Sequence, residues 1–349
     1  MVRKKKDGLT YAKSGVNIDE ADLFTRMIKE RVAEAWPDTA VEIGGFAGGG
    51  PIPKGSIKVD GSVDGVGTKL KIAGILGKLD TVGQDAVAMS AVDGYIAGAK
   101  PEYLMDYLAV EKLKAEYHIQ IIEGLIRACK LAGCKLIGGE TAELPGFFKY
   151  SWLFDLTTSV ISFRKNKPKY VPVKGGFDLY GWPSFGPASN GYSLLRNIFN
   201  LDDAPSRVRK RLEKRWSELD GKSLGECLLE PTPIWIDTIE NEVSKGVRFA
   251  GHAHMTGGGI ENIKRILPAD IKVIIDRSSW RRPAIFGLAQ RLGNVSTEEM
   301  ERVFNNGNMV VSIVDPAGPA IEEHAIKIGS VVEWIWGENQ VEMFGQYRD

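Results

Sequence analysis

The sequence predicts an α/β protein made of two domains, and three observations support this. The chain has 349 residues, and a domain typically takes about 150. Strand-like and helix-like segments alternate in both halves, which is typical of layered α/β units. Residues 164–169 (RKNKPK) are polar, basic and interrupted by proline, as linkers often are. We therefore predict an N-terminal domain at residues 1–165 and a C-terminal domain at residues 166–349.

The first half shows three predicted helices and four predicted strands. The first helix is expected to start at a cap formed by Asp19 and to end before Trp36, because apolar residues recur at helical spacing between them. Residues 56–63 alternate as a strand that delivers Asp64 at its end. The remaining predicted elements are helices at 84–99 and 116–132 and strands at 103–110, 135–137 and 154–163.

The second half repeats this alternation. A predicted strand that ends at His254 leads through three consecutive glycines into a helix from Ile260. The other predicted elements are strands at 177–182 and 272–276, a helix from Gly191, and helices near 205–218 and 232–244.

Composition and charge exclude several classes of function. Lys plus Arg and Asp plus Glu both number 45, so no overall field attracts nucleic acid or an anionic membrane. No run of 18 apolar residues occurs, so we expect no membrane span. The three cysteines are scattered without metal-ligand spacing, which indicates reduced thiols in a cytoplasmic protein. His252 and His254 are spaced for a zinc pair, but no third ligand is evident.

Residues 61–70 (GSVDGVGTKL) raise the main question about function. They match neither the P-loop, which ends in Gly-Lys-Ser/Thr, nor the dinucleotide fingerprint, which needs a third glycine at Leu70. Asp64 is suited to hold Mg²⁺, and Lys69 is suited to meet a phosphate. A tight structural turn explains the same glycines, and these ten residues alone leave both explanations open.

Acidic residues recur in the first half where a strand ends or the chain turns, at Asp64, Asp106 and Glu140. Asp85 and Asp93 share one broad face of a predicted helix. Carboxylates in one site repel one another unless a cation lies between them. Mg²⁺ takes one or two carboxylates together with nucleotide phosphates, so the pattern fits such a site. The alternative is that each carboxylate caps a helix or faces water.

A candidate anion site occurs in the second half. Residues 255–259 (MTGGG) connect a predicted strand to a predicted helix, so backbone N–H groups and the helix N-terminus would face one point. Three consecutive glycines are costly at a helix start unless a group must approach closely. We predict a phosphate ligand at this loop rather than a plain turn.

These motifs resemble those of the phosphoribosylformylglycinamidine cyclo-ligase (aminoimidazole ribonucleotide synthetase, or PurM) family. The resemblance extends from residues 11–19 almost to the end of the chain, and DGVGTK followed by GGETAE-PG is highly specific. The matching blocks include GGFAGG (44–49), DGVGTKL (64–70), GGETAELPG (138–146), SNGYSLLR (189–196), HMTGGG (254–259) and ENIKRILP (261–268).

The resemblance implies a two-domain PurM-like α/β fold, with N-terminal sheets that pair across a homodimer and a layered C-terminal α/β domain. It also implies a reaction of purine biosynthesis. ATP phosphorylates the formamide oxygen of formylglycinamidine ribonucleotide, the amidine nitrogen closes the imidazole ring, and ADP and phosphate leave. The implied cofactors are ATP and Mg²⁺, and no nucleic-acid or membrane partner is expected.

Site residues follow from the resemblance at matching motif positions. The expected catalytic residues are Asp64, Lys69, Asp93 and Glu140, and the carboxylates among them are the expected metal ligands. The expected ATP- or phosphate-binding residues are Lys29, Gly65, Gly67, Thr68, Thr141, Asn190, Gly257, Gly258 and Gly259.

Three positions depart from the family's motifs. Val92 stands where the family has asparagine, Ala188 where it has histidine, and the loop at 304–309 is shorter. Valine neither donates nor accepts a hydrogen bond, and alanine removes an imidazole. Three explanations stay open: a divergent cyclo-ligase, a kinase or synthetase of the same fold with another small substrate, and a non-catalytic ATP-binding paralogue.

Overall fold

A computed structural model describes most of the chain and contains two β-sheets, one in each half. None of the helices it describes is long and apolar enough to cross a membrane. Part of the glycine-rich motif at 44–49 and most of the segment at 11–19 lie outside the described residues. The described residues are 17–37, 47–165, 170–322, 324–333 and 339–348.

The first half folds as a four-stranded sheet with helices on one face. Its elements are α1 (Ile18–Ala35), β1 (Lys58–Gly65), α2 (Lys69–Leu76), α3 (Val82–Ile96), β2 (Lys100–Val110), α4 (Ala115–Ala132), β3 (Lys135–Glu143) and β4 (Phe154–Arg164). The strand order is β1-β4-β2-β3, in which β4 runs antiparallel to both of its neighbours. Helices α3 and α4 pack together beneath the sheet, and α1 packs on α4.

The two faces of this sheet differ because side chains alternate along each strand. On β4, Leu156 and Thr158 are fully buried, and Thr158 Oγ1 donates to a carbonyl oxygen of α3 at 2.8 Å. On the opposite face Val59 is 59% exposed, Val63 is 67% exposed and Tyr107 is 40% exposed. The first half therefore carries one covered face and one open, partly apolar face.

The second half folds around a six-stranded sheet of order β10-β7-β9-β5-β8-β6. Its strands are β5 (Asp178–Pro183), β6 (Phe249–His254), β7 (Ile271–Asp276), β8 (Asn308–Val314), β9 (Ile326–Glu333) and β10 (Val341–Phe344). Its helices are α5 (Tyr192–Ile198), α6 (Pro205–Glu213), α7 (Leu224–Leu228), α8 (Ile236–Ser244), α9 (Ala284–Gly293) and α10 (Thr297–Val303). One hydrophobic core cluster contains residues of both halves, so the two sheets share a packed junction.

A fully buried ion pair joins the halves. Lys69, at the start of α2, and Asp85, on α3, are both 0% exposed, with Nζ 2.9 Å from Oδ1 and 2.8 Å from Oδ2. Lys69 also donates to the carbonyl oxygens of Ala188 (2.9 Å) and Glu230 (2.7 Å) in the second half. Asp85 accepts from the backbone N–H (2.9 Å) and the hydroxyl (2.7 Å) of Thr232. Each charge is therefore paired and hydrogen-bonded across the junction.

The predicted α/β class is confirmed, and most predicted elements are present with shifted ends. Helix α1 has Asn17 as its N-cap, so the expectation that Asp19 is the cap is wrong. Strand β3 continues past residue 137 because it pairs with β2 along its length. The segment after the three glycines is a 3₁₀-helix at Gly259–Ile266 rather than an α-helix. The domain boundary at residue 165 stays a prediction.

We expect Asp85→Asn to destabilise the protein strongly, because it leaves the Lys69 ammonium buried without a countercharge. Loss of one partner of a buried ion pair costs about 3–5 kcal/mol, measurable as a shift in the urea unfolding midpoint. The matched control is Asp202→Asn, which removes a more exposed carboxylate that pairs with Lys71 of the same helix α2 and with Arg196. That change should cost about 0–1 kcal/mol. Equal losses of stability in the two variants would contradict the role of the Lys69–Asp85 ion pair in holding the two halves together.

Candidate active site

Two of the predicted carboxylates lie together where the halves meet. Burial raises the pKa of Asp64, at the end of β1, and the charge of Asp93 on α3 raises it further. The backbone N–H of Gly65 donates to Asp64 Oδ1 at 2.7 Å and opposes the shift. The side chain of Asp93 is 46% exposed. Asp64 and Asp93 therefore form an accessible pair of repelling carboxylates, which a cation would stabilise.

His254 fixes the position of Asp93 from the second half. Its Nδ1 lies 2.9 Å from Asp93 Oδ1, and Nδ1 is the donor because a carboxylate only accepts. The residue is 3% exposed, and its buried Nε2 has no hydrogen-bond partner in the described part of the chain. This contact links β6 to α3 and holds the Asp93 carboxylate in one orientation.

The zinc alternative considered for His252 and His254 gains no support from their contacts. His252 Nδ1 lies 2.7 Å from Ser312 Oγ, whereas His254 contacts Asp93. Sequence reasoning therefore missed His254 as a partner of the predicted carboxylates. The signal for this role was its position at the end of a strand, directly before the glycine loop.

The three-glycine loop, Gly257 to Gly259, follows β6 and begins three residues after His254, the partner of Asp93. Gly258 has φ 101° and Gly259 has φ 52°, a backbone region that favours glycine. A Cβ on Gly259 would lie 2.0 Å from the carbonyl oxygen of Glu301, so packing excludes one. At Gly257 a Cβ would meet no atom within 4 Å, while Asn262 Nδ2 holds its carbonyl oxygen at 3.2 Å. Gly257 therefore borders open space on a fixed backbone, which suits a bound phosphate.

The DGVGTK motif sends its two charged side chains in different directions. Gly67, with φ 72°, turns the chain between Asp64 and Lys69, and Thr68 is the N-cap residue of α2. In the structure Lys69 does not face a phosphate site, because its ammonium donates to Asp85 and to two carbonyl oxygens of the second half. Burial lowers the pKa of Lys69, and the Asp85 charge opposes this shift. Lys69 therefore connects the two halves through hydrogen bonds.

Two loops of the second half complete the surroundings of Lys69. The loop at 186–191 accepts from Lys69 through the carbonyl of Ala188, a buried residue with φ 58°. Asn305, in the loop at 304–309, donates from Nδ2 to a carbonyl oxygen of the first loop at 3.0 Å. Asn190 Nδ2 is buried without a hydrogen-bond partner among the residues described. This unpaired donor makes Asn190 suited to bind a ligand oxygen.

Glu140 lies away from the Asp64–Asp93 pair, which corrects the expectation that three carboxylates meet within one chain. Asp64 lies opposite Thr158 in the sheet, and Thr158 lies opposite Asp106. Asp106 in turn lies opposite Gly139 on β3. Strands are about 4.8 Å apart, so β1 and β3 are separated by roughly 14 Å. Within the described ranges, no group of three or more His, Cys, Asp and Glu is arranged to hold a metal.

Glu140 instead lines a separate pocket of about 320 Å³ beside α1. Lys29 and Thr141 line the same pocket, so three of the predicted residues are grouped here. Asp106 also lines it, and burial raises the pKa of this carboxyl to about 7, with a further contribution from the Glu140 charge. The structure therefore divides the predicted residues between the junction and this pocket.

Comparison with known proteins shows a full-length similarity. Residues 54–161 match the model of the AIR synthase related protein N-terminal domain, and residues 176–333 match its C-terminal domain. A phosphoribosylformylglycinamidine cyclo-ligase of Thermoanaerobacter pseudethanolicus is 42% identical over 93% of this chain and 98% of that protein. The chain belongs to the phosphoribosylformylglycinamidine cyclo-ligase family. The cyclo-ligase of Caldicellulosiruptor bescii is 41% identical over 95% of this chain and 97% of its own.

Solved structures share the fold of this cyclo-ligase family member at lower identity. The E. coli hydrogenase maturation protein HypE has a TM-score of 0.60 and 17% identity, covering 92% of this chain and 94% of its own. The thiamine monophosphate kinase of Aquifex aeolicus has a TM-score of 0.54 and 14% identity, covering 97% and 99%. A HypE complex with ATP has a TM-score of 0.56 and 16% identity, covering 92% and 88%. The family, enzyme class and PurM-like fold predicted from the motifs are thus confirmed.

We expect Asp64→Asn to raise the melting temperature of this cyclo-ligase family member at pH 7. The pKa of Asp64 is raised by folding, so its charged form destabilises the folded state at a pH above that pKa. Below the unfolded value of about 3.9 both states are protonated and the difference disappears. Melting curves between pH 7 and pH 4 should therefore show a gain that shrinks as the pH falls.

The matched control is Asp60→Asn on the same strand. A hydrogen bond from Lys58 lowers the pKa of Asp60, and Arg164 adds to this effect. A lowered pKa stabilises the folded state at neutral pH, so this variant should melt at a lower temperature at pH 7 and lose the difference in acid. The same sign for both variants would contradict the assigned electrostatics.

Proposed function

We propose that the chain catalyses the ATP-dependent closure of formylglycinamidine ribonucleotide to aminoimidazole ribonucleotide, with release of ADP and phosphate. The observation that carries this proposal is the likeness to curated cyclo-ligases over nearly the whole of both chains. The junction supports it, since Asp64, Asp93 and Gly257 lie at motif positions and border accessible space. The solved complex of HypE with ATP supports ATP as the nucleotide.

Two bond exchanges make up the proposed reaction. Transfer of the γ-phosphoryl group of ATP to the formamide oxygen forms an O–P bond and releases ADP. The amidine nitrogen then attacks the activated carbon, a C–N bond forms, the C–O bond breaks, and phosphate leaves with the former amide oxygen. Phosphorylation is needed because the oxygen of an amide is a poor leaving group. The protein's part in such chemistry is to position the groups and to stabilise the charge that moves.

We propose that Asp64 and Asp93 hold Mg²⁺ together with phosphate oxygens. The residues fit this role because the two carboxylates repel each other and one is about half exposed. Bound Mg²⁺ would neutralise charge on the phosphoryl group. His254 keeps Asp93 in place for this purpose. The backbone at Gly257 and the side-chain amide of Asn190 would donate hydrogen bonds to phosphate or substrate oxygens.

The remaining predicted ligand contacts lie in the pocket beside α1 and in the turn that follows β1. We propose that Lys29, Glu140 and Thr141 contact another part of the nucleotide in the assembled homodimer, since they line one pocket. Gly65 and Gly67 would let the turn approach the nucleotide phosphates closely. Lys69 acts indirectly, because its bonds to the loops of the second half determine where those loops lie.

We also propose that two copies of the chain associate through the open face of the first sheet, and that the enzyme works in the cytoplasm. Val59, Val63 and Tyr107 on that face are at least 40% exposed, and contiguous exposed apolar surface marks interaction sites. The cysteines Cys129, Cys134 and Cys227 are all unbridged, as is usual in a reducing compartment.

The departures from the family's motifs favour the cyclo-ligase over the other two explanations. Val92 is 2% exposed and belongs to the hydrophobic core cluster, so its side chain packs in the interior of this chain. Ala188 is 1% exposed and contributes its carbonyl to Lys69. In the shortened loop, Asn306 Nδ2 donates to the backbone carbonyl oxygens of Met300 and Phe304. These changes alter internal packing and leave Asp64 and Asp93 in place.

The proposed activity predicts that purified protein with formylglycinamidine ribonucleotide, ATP and Mg²⁺ forms aminoimidazole ribonucleotide and ADP in equal amounts. Asp64→Asn should lower kcat/KM roughly a hundredfold or more, the usual cost of losing one electrostatic group at a transferring centre. Asp60→Asn, four residues earlier on the strand, should retain activity. No product from this substrate but ADP with another acceptor would select the kinase alternative. ATP-dependent thermal stabilisation without ADP formation would select the binding paralogue.

The proposed homodimer predicts a mass near twice 38.3 kDa in solution. Val63→Lys places a charge on the open face of the first sheet, so light scattering should show the mass of one chain. Phe344→Lys is the matched control, because Phe344 is 51% exposed but lies on β10 of the other sheet. A single-chain mass for the unchanged protein, or dissociation by the control alone, would contradict the assigned interface.

A further inference from the structure

A cavity of about 390 Å³ lies at the junction but apart from the carboxylate cluster. Its walls come from α3, the start of β2, β6 and α8. On α3 it is lined by Tyr95, two residues after Asp93, and on β6 by His252, two residues before His254. Its volume is at the lower end of small-molecule sites, which typically measure about 300–1,000 Å³.

Aromatic side chains form one part of the lining. Tyr95, Phe163, Tyr170, Phe249 and His252 all border the cavity. The His252 ring has its centroid 4.7 Å from that of Phe249, 5.4 Å from that of Tyr170 and 6.2 Å from that of Tyr95. Such a wall offers flat apolar faces on which a planar ring can stack.

The hydrogen bonds around His252 identify a donor for the cavity. Trp182 Nε1 donates to Ser312 Oγ at 2.8 Å, and Ser312 Oγ lies 2.7 Å from His252 Nδ1. We assign the proton of the Ser312 hydroxyl to the bond with Nδ1, because its oxygen already accepts from Trp182, and this assignment places the imidazole proton on Nε2. Burial lowers the pKa of His252 to about 3, so the ring is neutral. The bond to Ser312 uses Nδ1 of His252, and the residue lines the cavity.

Glu240 supplies the acceptor. Its Oε1 accepts from the Tyr95 hydroxyl at 2.6 Å, which holds the carboxylate at the cavity wall. The other charged residues that line the cavity are Lys100, Glu102 and Lys165. Two lysines and two glutamates balance, so the cavity attracts neither an anion nor a cation by net charge.

We propose that this cavity binds a neutral, planar nitrogen heterocycle of nucleobase or nucleoside size. Its ring would stack on the aromatic wall, a ring nitrogen would accept from His252 Nε2–H, and an amino group would donate to Glu240. An adenine-like ring carries both groups on one edge. The inference does not depend on the proposed catalytic activity, because binding is measured without turnover.

The test is equilibrium dialysis of adenosine against the full chain, with Mg²⁺ and one equivalent of AMPPNP per chain present to fill the proposed nucleotide site. We expect one adenosine per chain. Tyr170→Ala should weaken binding roughly tenfold or more, since loss of one stacking ring costs about that much. Tyr170→Phe keeps the ring and should retain binding. Tyr150→Ala removes a tyrosine that stacks on Trp152 outside the cavity, and it should bind as the unchanged protein does.

A second variant covers the case in which Tyr170→Ala does not fold. Val243 lines the cavity and is 43% exposed on α8, so Val243→Trp fills the space at little risk to the fold and should abolish binding. No adenosine binding at millimolar concentration, or equal affinity in Val243→Trp, would overturn the proposal. Tenfold tighter binding of AMP than of adenosine would show an anion site and would also overturn it.

Discussion

The arrangement of the candidate active site depends on the buried ion pair between Lys69 and Asp85. Removing two charges from water is expensive, and the cost is offset only when partners satisfy the remaining donors and acceptors. Here those partners are backbone groups of Ala188, Glu230 and Thr232, all from the second half. A shift of either half would leave a charge buried without its hydrogen bonds. The electrostatics of one pair therefore impose the relative position of the two sheets.

This constraint explains how one short motif performs two tasks. Asp64 and Lys69 are five residues apart, and the left-handed turn at Gly67 separates their directions. Asp64 stays at the surface of the junction beside Asp93, where charge repulsion is tolerated because solvent or a cation can relieve it. Lys69 enters the interior and donates to the loop that carries Asn190. The glycines are needed for the change of direction as much as for access by a ligand.

Local patterns predicted the helices and strands well, because periodicity depends on neighbouring residues. The site was predicted less completely, because strand order is a property of distant segments. Nothing in the spacing of Asp64 and Glu140 indicates that β4 and β2 lie between their strands. The internal role of Lys69 was equally hidden, since its partner Asp85 resembles Asp93 in type and helix face. The structure distinguishes them by burial: Asp85 is 0% exposed, whereas Asp93 is 46% exposed.

The burial of a side chain also indicates whether a substitution within the family changes the packing of the interior or the chemistry of the site. Val92 and Ala188 differ from the family's motifs, yet both are enclosed by protein and make no polar side-chain contact. At Ala188 the contribution to the junction comes from the backbone, whose carbonyl oxygen accepts from Lys69. Asp64 and Asp93 bear the charge and border solvent, so they determine what the junction can bind. A relative that retained the ion pair but lost these carboxylates would keep the fold and lose the proposed cation site, which would separate the structural requirement from the proposed catalytic one.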